Sequence, residues 1–246
     1  MRPQDAWAQT LREQGRALPP SGLGLEAPRF RQRLVELLRH DGCTDTEVLA
    51  AMAEVPRHAF VDAALVAQAY EDTSLPIGLG QTISKPSVVA RMLSLLRQRP
   101  DGARPLGRVL EIGTGCGYQA ALLERLARQV YSVERLKPLF DKARDNLADI
   151  RSDRLRLIYG DGRFGHPPNA PYDGIIAAAG GEDLPGAWLD QLAPSGRLVA
   201  PCQVGGAGEQ RLVVIDRLVD GSLRRSEYEA VRFVPLQSGV NDPGVA

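Results

Sequence analysis

Apolar residues recur at helical spacing through the first third of the chain, and short apolar runs alternating with helical stretches take over after it. Phe30, Leu34, Leu37 and Leu38 trace one face of a helix starting at Phe30. Thr44 with Glu47 has the spacing of a capping box for a second helix, Asp45 to Ala53. Pro56 opens a third short segment in which Phe60, Val61, Ala64 and Leu65 repeat at helical spacing. A loop is expected from Leu75 to Pro86. Ser84 is placed as N-cap of the helix that follows, with Pro86 in its first turn and Val88, Val89, Met92, Leu95 and Leu96 on its apolar face.

The pattern then changes. Strands are expected at Arg108 to Ile112, Val130 to Val133, Leu155 to Tyr159, Gly174 to Ala178 and Arg197 to Ala200. Helices are expected between them at Tyr118 to Ala127, Pro138 to Leu147 and Gly186 to Leu192. Gln210 to Arg217 and Glu227 to Val234 follow with no helix between, which predicts an antiparallel pair at the C-terminal end. Repeated βα units predict an α/β fold, a doubly wound and mostly parallel seven-stranded sheet behind an N-terminal helical cap. Residues 1–27, with Pro19, Pro20, Gly22 and Gly24, are expected to form a flexible tail. Residues 28–246 are expected to be one domain, with the cap and its loop in 28–100 and the sheet in 101–246.

The most informative stretch is Val-Leu-Glu-Ile-Gly-Thr-Gly-Cys-Gly, residues 109–117. A strand that opens through glycines into a helix N-terminus lets bare backbone approach a ligand. Glu111 at the strand end would repel a phosphate and suits a ligand carrying positive charge. The third glycine comes one residue too early for the dinucleotide pattern, and no Gly-Lys-Ser/Thr occurs. A cationic nucleoside such as S-adenosylmethionine fits better than NAD or ATP. A plain tight turn is the competing reading of the three glycines.

In a doubly wound sheet the ligand sits beyond the carboxyl ends of the central strands. Glu134, about 20 residues after the loop, can accept both ribose hydroxyls of a nucleoside; a surface ion pair with Arg135 or Lys137 is the alternative. Asp161 can accept from an exocyclic adenine amine while Gly162 lets the base lie close, although Asp-Gly is also a common turn. Ala177 to Gly181 is a strand end of small residues that leaves room for a ligand.

Composition narrows the picture further. Hydrophobic content of 43% and charged content of 24% are those of an ordinary globular protein. Thirty basic and 30 acidic residues cancel, so no overall field points to nucleic acid or an anionic membrane. The longest apolar runs are too short to span a bilayer, and residues 1–27 resemble neither a secretory signal nor a good transit peptide. Cys43, Cys116 and Cys202 form no C-x-x-C and, with the scattered His40, His58 and His166, predict reduced thiols in the cytoplasm and no metal site. Cys116 in the glycine loop is open to oxidation or is simply a small residue in a tight turn.

Several stretches together resemble one family closely. GQTISKP (80–86), VLEIGTGCGYQ (109–119), YSVER (131–135), GDGR (160–163), APYDGIIAAA (170–179) and EAVRFVPL (229–236) are similar to the bacterial protein-L-isoaspartate (D-aspartate) O-methyltransferases. VPRHAFV (55–61) and LPIG (75–78) agree as well, so the likeness covers roughly residues 30–237. The glycine loop is shared with class I methyltransferases generally; the Gln-Thr-Ile-Ser segment is specific to this family.

The resemblance implies methyl transfer from S-adenosylmethionine to the α-carboxyl of L-isoaspartyl residues in aged proteins, with S-adenosylhomocysteine as the other product. The ester then closes to a succinimide, and hydrolysis returns some normal aspartate. It places the active-site serine at Ser84, with Thr82, Ile83 and Val234 toward the substrate peptide. It places the cofactor against Glu111, Gly113, Thr114, Gly115, Gly117 and Tyr118, and against Glu134, Arg135, Asp161 and Gly162. No general base is needed, because the acceptor carboxylate is already ionised at neutral pH and the sulfonium is a good leaving group. For Ser84 the competing reading is a pure helix cap.

Two departures stand out. Ser87 replaces a residue more often aromatic or His, and Gly180-Gly181 replaces a stretch that commonly carries prolines. The rival functions are a class I methyltransferase with another carboxylate or protein acceptor, and a non-catalytic S-adenosylmethionine-binding relative. An NAD-linked oxidoreductase is more distant. The expected partners are isoaspartyl peptides and proteins, with the chain as a monomer and no nucleic acid or membrane.

Overall fold

The computed structural model describes residues 26–99, 102–103, 105–150, 152–205 and 208–242. The tail expected over residues 1–27 lies almost wholly outside them.

The cap begins with helix α1, Ala27–His40, whose Leu34, Val35 and Leu38 are buried at helical spacing. Helix α2, Thr46–Glu54, follows. Its cap is Asp45 rather than Thr44: the Asp45 side chain accepts from the backbone N–H groups of Glu47 and Val48 at 3.1 and 3.2 Å. The same carboxylate takes Arg97 Nε at 2.8 Å in a buried ion pair, which fixes it where a threonine hydroxyl would have no such anchor. The third segment is two 3₁₀ turns, Arg57–Phe60 and Ala63–Gln68, broken by extended backbone at Val61 and Asp62.

The segment expected as a loop is partly a hairpin, β1 (Leu75–Gly78) and β2 (Gln81–Ile83), paired antiparallel with Leu75 opposite Ile83. Its turn uses positive φ at Gly78, Leu79 and Gly80. Helix α3, Pro86–Arg97, has Pro86 as its first residue, so Lys85 is the N-cap, without a side-chain cap bond, and Ser84 stands outside the helix. A two-residue ladder, β3 (Gln98–Arg99) with β4 (Gly102–Ala103), leads to the sheet.

The sheet strands are β5 (Leu106–Ile112), β6 (Ala127–Glu134), β7 (Leu155–Tyr159), β8 (Tyr172–Ala177), β9 (Leu192–Gln203), β10 (Gln210–Arg217) and β11 (Leu223–Val231). Helices α4 (Tyr118–Leu126), α5 (Lys137–Asn146) and α6 (Gly186–Asp190) connect them. The spatial order is β11-β10-β9-β8-β5-β6-β7. All neighbours are parallel except β10, which runs antiparallel to both β9 and β11. The seven-stranded, mostly parallel sheet with an antiparallel pair is thus as expected. Strand β9 is much longer than the expected Arg197 to Ala200, running on through Pro194 and a positive-φ Ser195.

Both sheet faces are covered, which is why its strands read as nearly continuous apolar runs. On one face Val109, Val130 and Val214 pack with α3, α4 and the cap helices around Leu38, Met52, Leu93 and Leu122. On the other, Leu110, Ile112, Tyr131 and Leu198 pack with Tyr172 and Trp188. From β7 the chain crosses to the far side of β5 to form β8, so the strand order reverses between β5 and β8. A crevice opens at their carboxyl ends.

Candidate active site

The glycine loop leaves β5 at this crevice. Gly113, Gly115 and Gly117 have φ of 89°, 57° and 91°, values that side-chain-bearing residues resist. A Cβ on Gly117 would stand 2.9 Å from Leu147 Cδ1. The loop is tied down by Glu134 at the end of β6, whose carboxylate accepts Gly115 N at 2.9 Å and Leu136 N at 2.9 Å. Burial raises the Glu134 pKa, while the N–H groups of Leu136 and Gly115 act to lower it. The surface ion pair considered for Glu134 is absent among the described residues. Arg135 turns instead to Gly239 O at 2.8 Å and Gln237 Oε1 at 3.0 Å.

Gly113, Thr114, Gly115, Tyr118, Glu134, Arg135 and Gly162 all line one cavity at the crevice. Its wall is suited to a nucleoside: bare backbone at the glycines, a carboxylate with lone pairs to spare, and the small residues Ala178 and Ala179. The Tyr118 hydroxyl is buried, with the Arg57 guanidinium as its polar neighbour.

Three of the expected cofactor residues do not reach that wall. Glu111 is fully buried behind the loop, where Gln119 Nε2 donates to it at 3.0 Å and the Ser132 hydroxyl, its cross-strand neighbour, donates to its other oxygen. Burial pushes its pKa up to about 8, against those two hydrogen bonds. Gln119, which does line the cavity, stands between Glu111 and any ligand. Gly117 shapes the loop from behind. Asp161 spends its oxygens on Arg163 N, at 2.8 Å, and Gly239 N, at 2.6 Å.

That Gly239 contact belongs to a strap that sequence reasoning did not anticipate beyond Val234. Gly180 N donates to Val234 O at 2.9 Å and Leu236 N to Gly180 O at 2.7 Å. Asn241 N then bonds Arg135 O at 2.9 Å. Pro235, Leu236 and Gln237 thereby become cavity wall. A proline at position 180 would lack the N–H that anchors Val234, so the glycine pair is consistent with this strap.

A second hollow, a groove of about 760 Å³, opens on the other side of the β1–β2 hairpin. It is floored by Val88, Ala90 and Leu212 and walled by Glu229 to Phe233, the end of the edge strand β11 and the residues just after it. Thr82, Ser84, Ala178 and Val234 line both hollows and form the partition between them. Ile83 faces only the cofactor-side cavity. Ser87 lines the groove, its N–H and hydroxyl both on the Asp72 carboxylate at 2.7 and 2.8 Å. Cys116 is buried in the loop, and burial pushes its thiol up to about 11, so the small-residue reading suits it better than the oxidisable one. No cluster of metal-ligating side chains occurs among the described residues, and no helix there is long and apolar enough to cross a membrane.

Residues 29–241 match the sequence profile of the family described as protein-L-isoaspartate(D-aspartate) O-methyltransferase. The protein-L-isoaspartate O-methyltransferase of Leptothrix cholodnii is 66% identical over 241 residues, 98% of this chain and 85% of that protein. That of Methylibium petroleiphilum is 64% identical over 242 residues, 98% of this chain and 89% of its own length. Among solved structures, a protein-L-isoaspartate O-methyltransferase superposes with a TM-score of 0.75 at 27% identity, covering 85% of this chain and 67% of that one. A Plasmodium falciparum relative solved with S-adenosyl-L-homocysteine shares the fold, with a TM-score of 0.71 at 24% identity over 84% of this chain and 98% of that one.

Proposed function

The chain belongs to the protein-L-isoaspartate O-methyltransferase family, and from that premise we propose how its residues divide the work. The enzyme transfers a methyl group from S-adenosylmethionine to the α-carboxyl of L-isoaspartyl residues in damaged proteins, which begins their repair through a succinimide. In our reading the cofactor-side cavity takes the nucleoside and the groove takes the peptide, and residues 28–246 act as one methyltransferase domain. The observation that carries this reading is the partition: Ser84, Thr82 and Val234 face both hollows, where donor and acceptor must meet.

The bound cofactor supplies a methyl group on a sulfonium, and its transfer breaks one C–S bond and makes one C–O bond with no proton to move. The protein's task is therefore alignment, for which effective molarities of about 10⁵–10⁸ M are the upper guide. The Ser84 hydroxyl donates to the acceptor carboxylate and orients it. Glu134 accepts from the ribose hydroxyls, and its hold on Gly115 keeps the loop backbone beside the ligand. Glu111 acts from behind Gln119. Asp161 and Arg135 hold the strap that closes the adenosine end. Three thiols, none in a disulfide, fit a reducing compartment, and we place the enzyme in the cytoplasm as a monomer.

The deciding experiment is methyl transfer from labelled S-adenosylmethionine to paired peptides that differ only in L-isoaspartate against L-aspartate. Transfer to the isoaspartyl peptide alone is the expected result. Equal transfer to both would refute the repair assignment. Cofactor binding without transfer to either would favour a different acceptor.

A further inference from the structure

Arg57 opens the first 3₁₀ turn and is 0% exposed. Its Nε donates to Ala69 O at 2.9 Å, and its Nη2 donates to Ser84 O at 2.8 Å and Thr73 O at 3.4 Å. Thr73 precedes β1 and Ser84 follows β2, so one nitrogen clamps both ends of the hairpin. The guanidinium carbon stands 5.0 Å from the centre of the Tyr118 ring, on the cofactor-side wall. Nη1 is buried beside the Tyr118 hydroxyl, a neutral group that can accept from the guanidinium without balancing its charge.

No carboxylate among the described residues forms an ion pair with Arg57. Asp72, whose charge it feels, is bound to Ser87 and Lys85 instead. A buried cation without a counter-charge is strongly unfavourable, and a long apolar side chain would fill the space more cheaply. Three backbone carbonyls explain the planar fork of an arginine but leave its charge unbalanced. The reaction itself brings an anion to this place.

We infer that Arg57 is the positioning residue of the acceptor site, its fork fixing Ser84 and its unbalanced charge drawing the isoaspartyl α-carboxylate onto the Ser84 hydroxyl. The inference rests on the reading of Ser84 given above. Arg57 holds the carbonyl of Ser84 itself, so a carboxylate on the Ser84 hydroxyl lies one residue's width from the cation. At roughly 6 Å and an effective dielectric of about 20–40, the attraction amounts to about a 10- to 100-fold preference for an anionic over a neutral acceptor group.

The test compares the isoaspartyl peptide as substrate with the same peptide bearing an α-carboxamide, assayed as a competitive inhibitor. It uses the full chain as wild type, Arg57→Met and Arg57→Lys. In Arg57→Met the preference for carboxylate should fall about 10- to 100-fold and KM for the peptide should rise, while S-adenosylmethionine affinity stays within about threefold. Arg57→Lys should keep part of the preference and lose kcat, because an ammonium cannot hold three carbonyls at once. An Arg57→Met enzyme that binds the cofactor normally and keeps the wild-type preference would overturn the inference. Should Arg57→Met not fold, Arg57→Lys decides, since unchanged kcat would remove the positioning role. A wild type that shows no preference between the two peptides would overturn the inference together with the Ser84 reading on which it rests.

Discussion

Replacing Ser84 by alanine should separate chemistry from stability, and the structure says why. Had Ser84 capped α3, its loss would cost about 1 kcal/mol, which in a domain of this size lowers Tm by about 2–4 °C. Lys85 holds the cap position with no side-chain bond, and the Ser84 hydroxyl makes no hydrogen bond within the described residues. Its removal should therefore change stability by less than about 0.5 kcal/mol. In the reaction the same hydroxyl gives one charge-assisted hydrogen bond of about 1.5–3 kcal/mol, so kcat/KM should fall roughly 10- to 150-fold without reaching zero. The assay is initial-rate methylation of an isoaspartyl peptide, with thermal unfolding of the same preparation. A folded Ser84→Ala protein with full kcat/KM would remove Ser84 from the active site. A Tm loss of several degrees would show that the capping geometry above is wrong.

Three other outcomes follow from the site. Glu134→Gln puts an amide N–H₂ against the N–H of Gly115 or Leu136, and S-adenosylmethionine should bind about 10- to 100-fold more weakly by calorimetry; an unchanged Kd would free Glu134 of its role. Gly117→Ala must hold φ of 91° with a Cβ 2.9 Å from Leu147, and should lower stability by about 1–3 kcal/mol in thermal or denaturant unfolding. Glu111 has a pKa of about 8 in the fold against an ordinary 4.5, so the folded state binds the extra proton. Its stabilising effect is complete below pH 4.5 and fades as pH rises through 8. Wild type should thus lose a few kcal/mol relative to Glu111→Gln across that window, and parallel Tm–pH curves for the two proteins would contradict the assignment.

The strand ends were legible because sheet strands buried on both faces announce themselves as apolar runs, and the ligand-side residues Glu134 and Gly113 to Gly115 follow directly from where those runs stop. Strands Leu155–Tyr159 and Gln210–Arg217 have the expected limits, and the others differ at their ends. The caps were misread by one residue each. At Ser84 the signal was available, since a proline is favoured at the first helical position and puts the cap immediately before it. The β1–β2 hairpin was hidden by Pro76, Gly78 and Gly80, although Leu75 and Ile77 show the alternation of a half-buried strand. Arg57 and the strap at Pro235 to Gln237 had no local signal. A charged residue in Val-Pro-Arg-His reads as surface, and only contacts 12–27 residues away make it core. Gln119 could have been found from its place in the first turn of the helix that the glycine loop opens into.

The strap also sets an order in time. The cofactor-side cavity is walled by residues from Ile77 to Gln237, about 160 residues apart in the chain. At synthesis rates of about 5–20 residues per second, roughly 10–30 s separate the emergence of its first wall from its last. The glycine loop, Glu134 and the hairpin must wait open through that interval. A nascent chain can build the sheet core and still be unable to enclose its cofactor, so the repair enzyme gains its activity only once the segment after β11 has crossed back over the crevice.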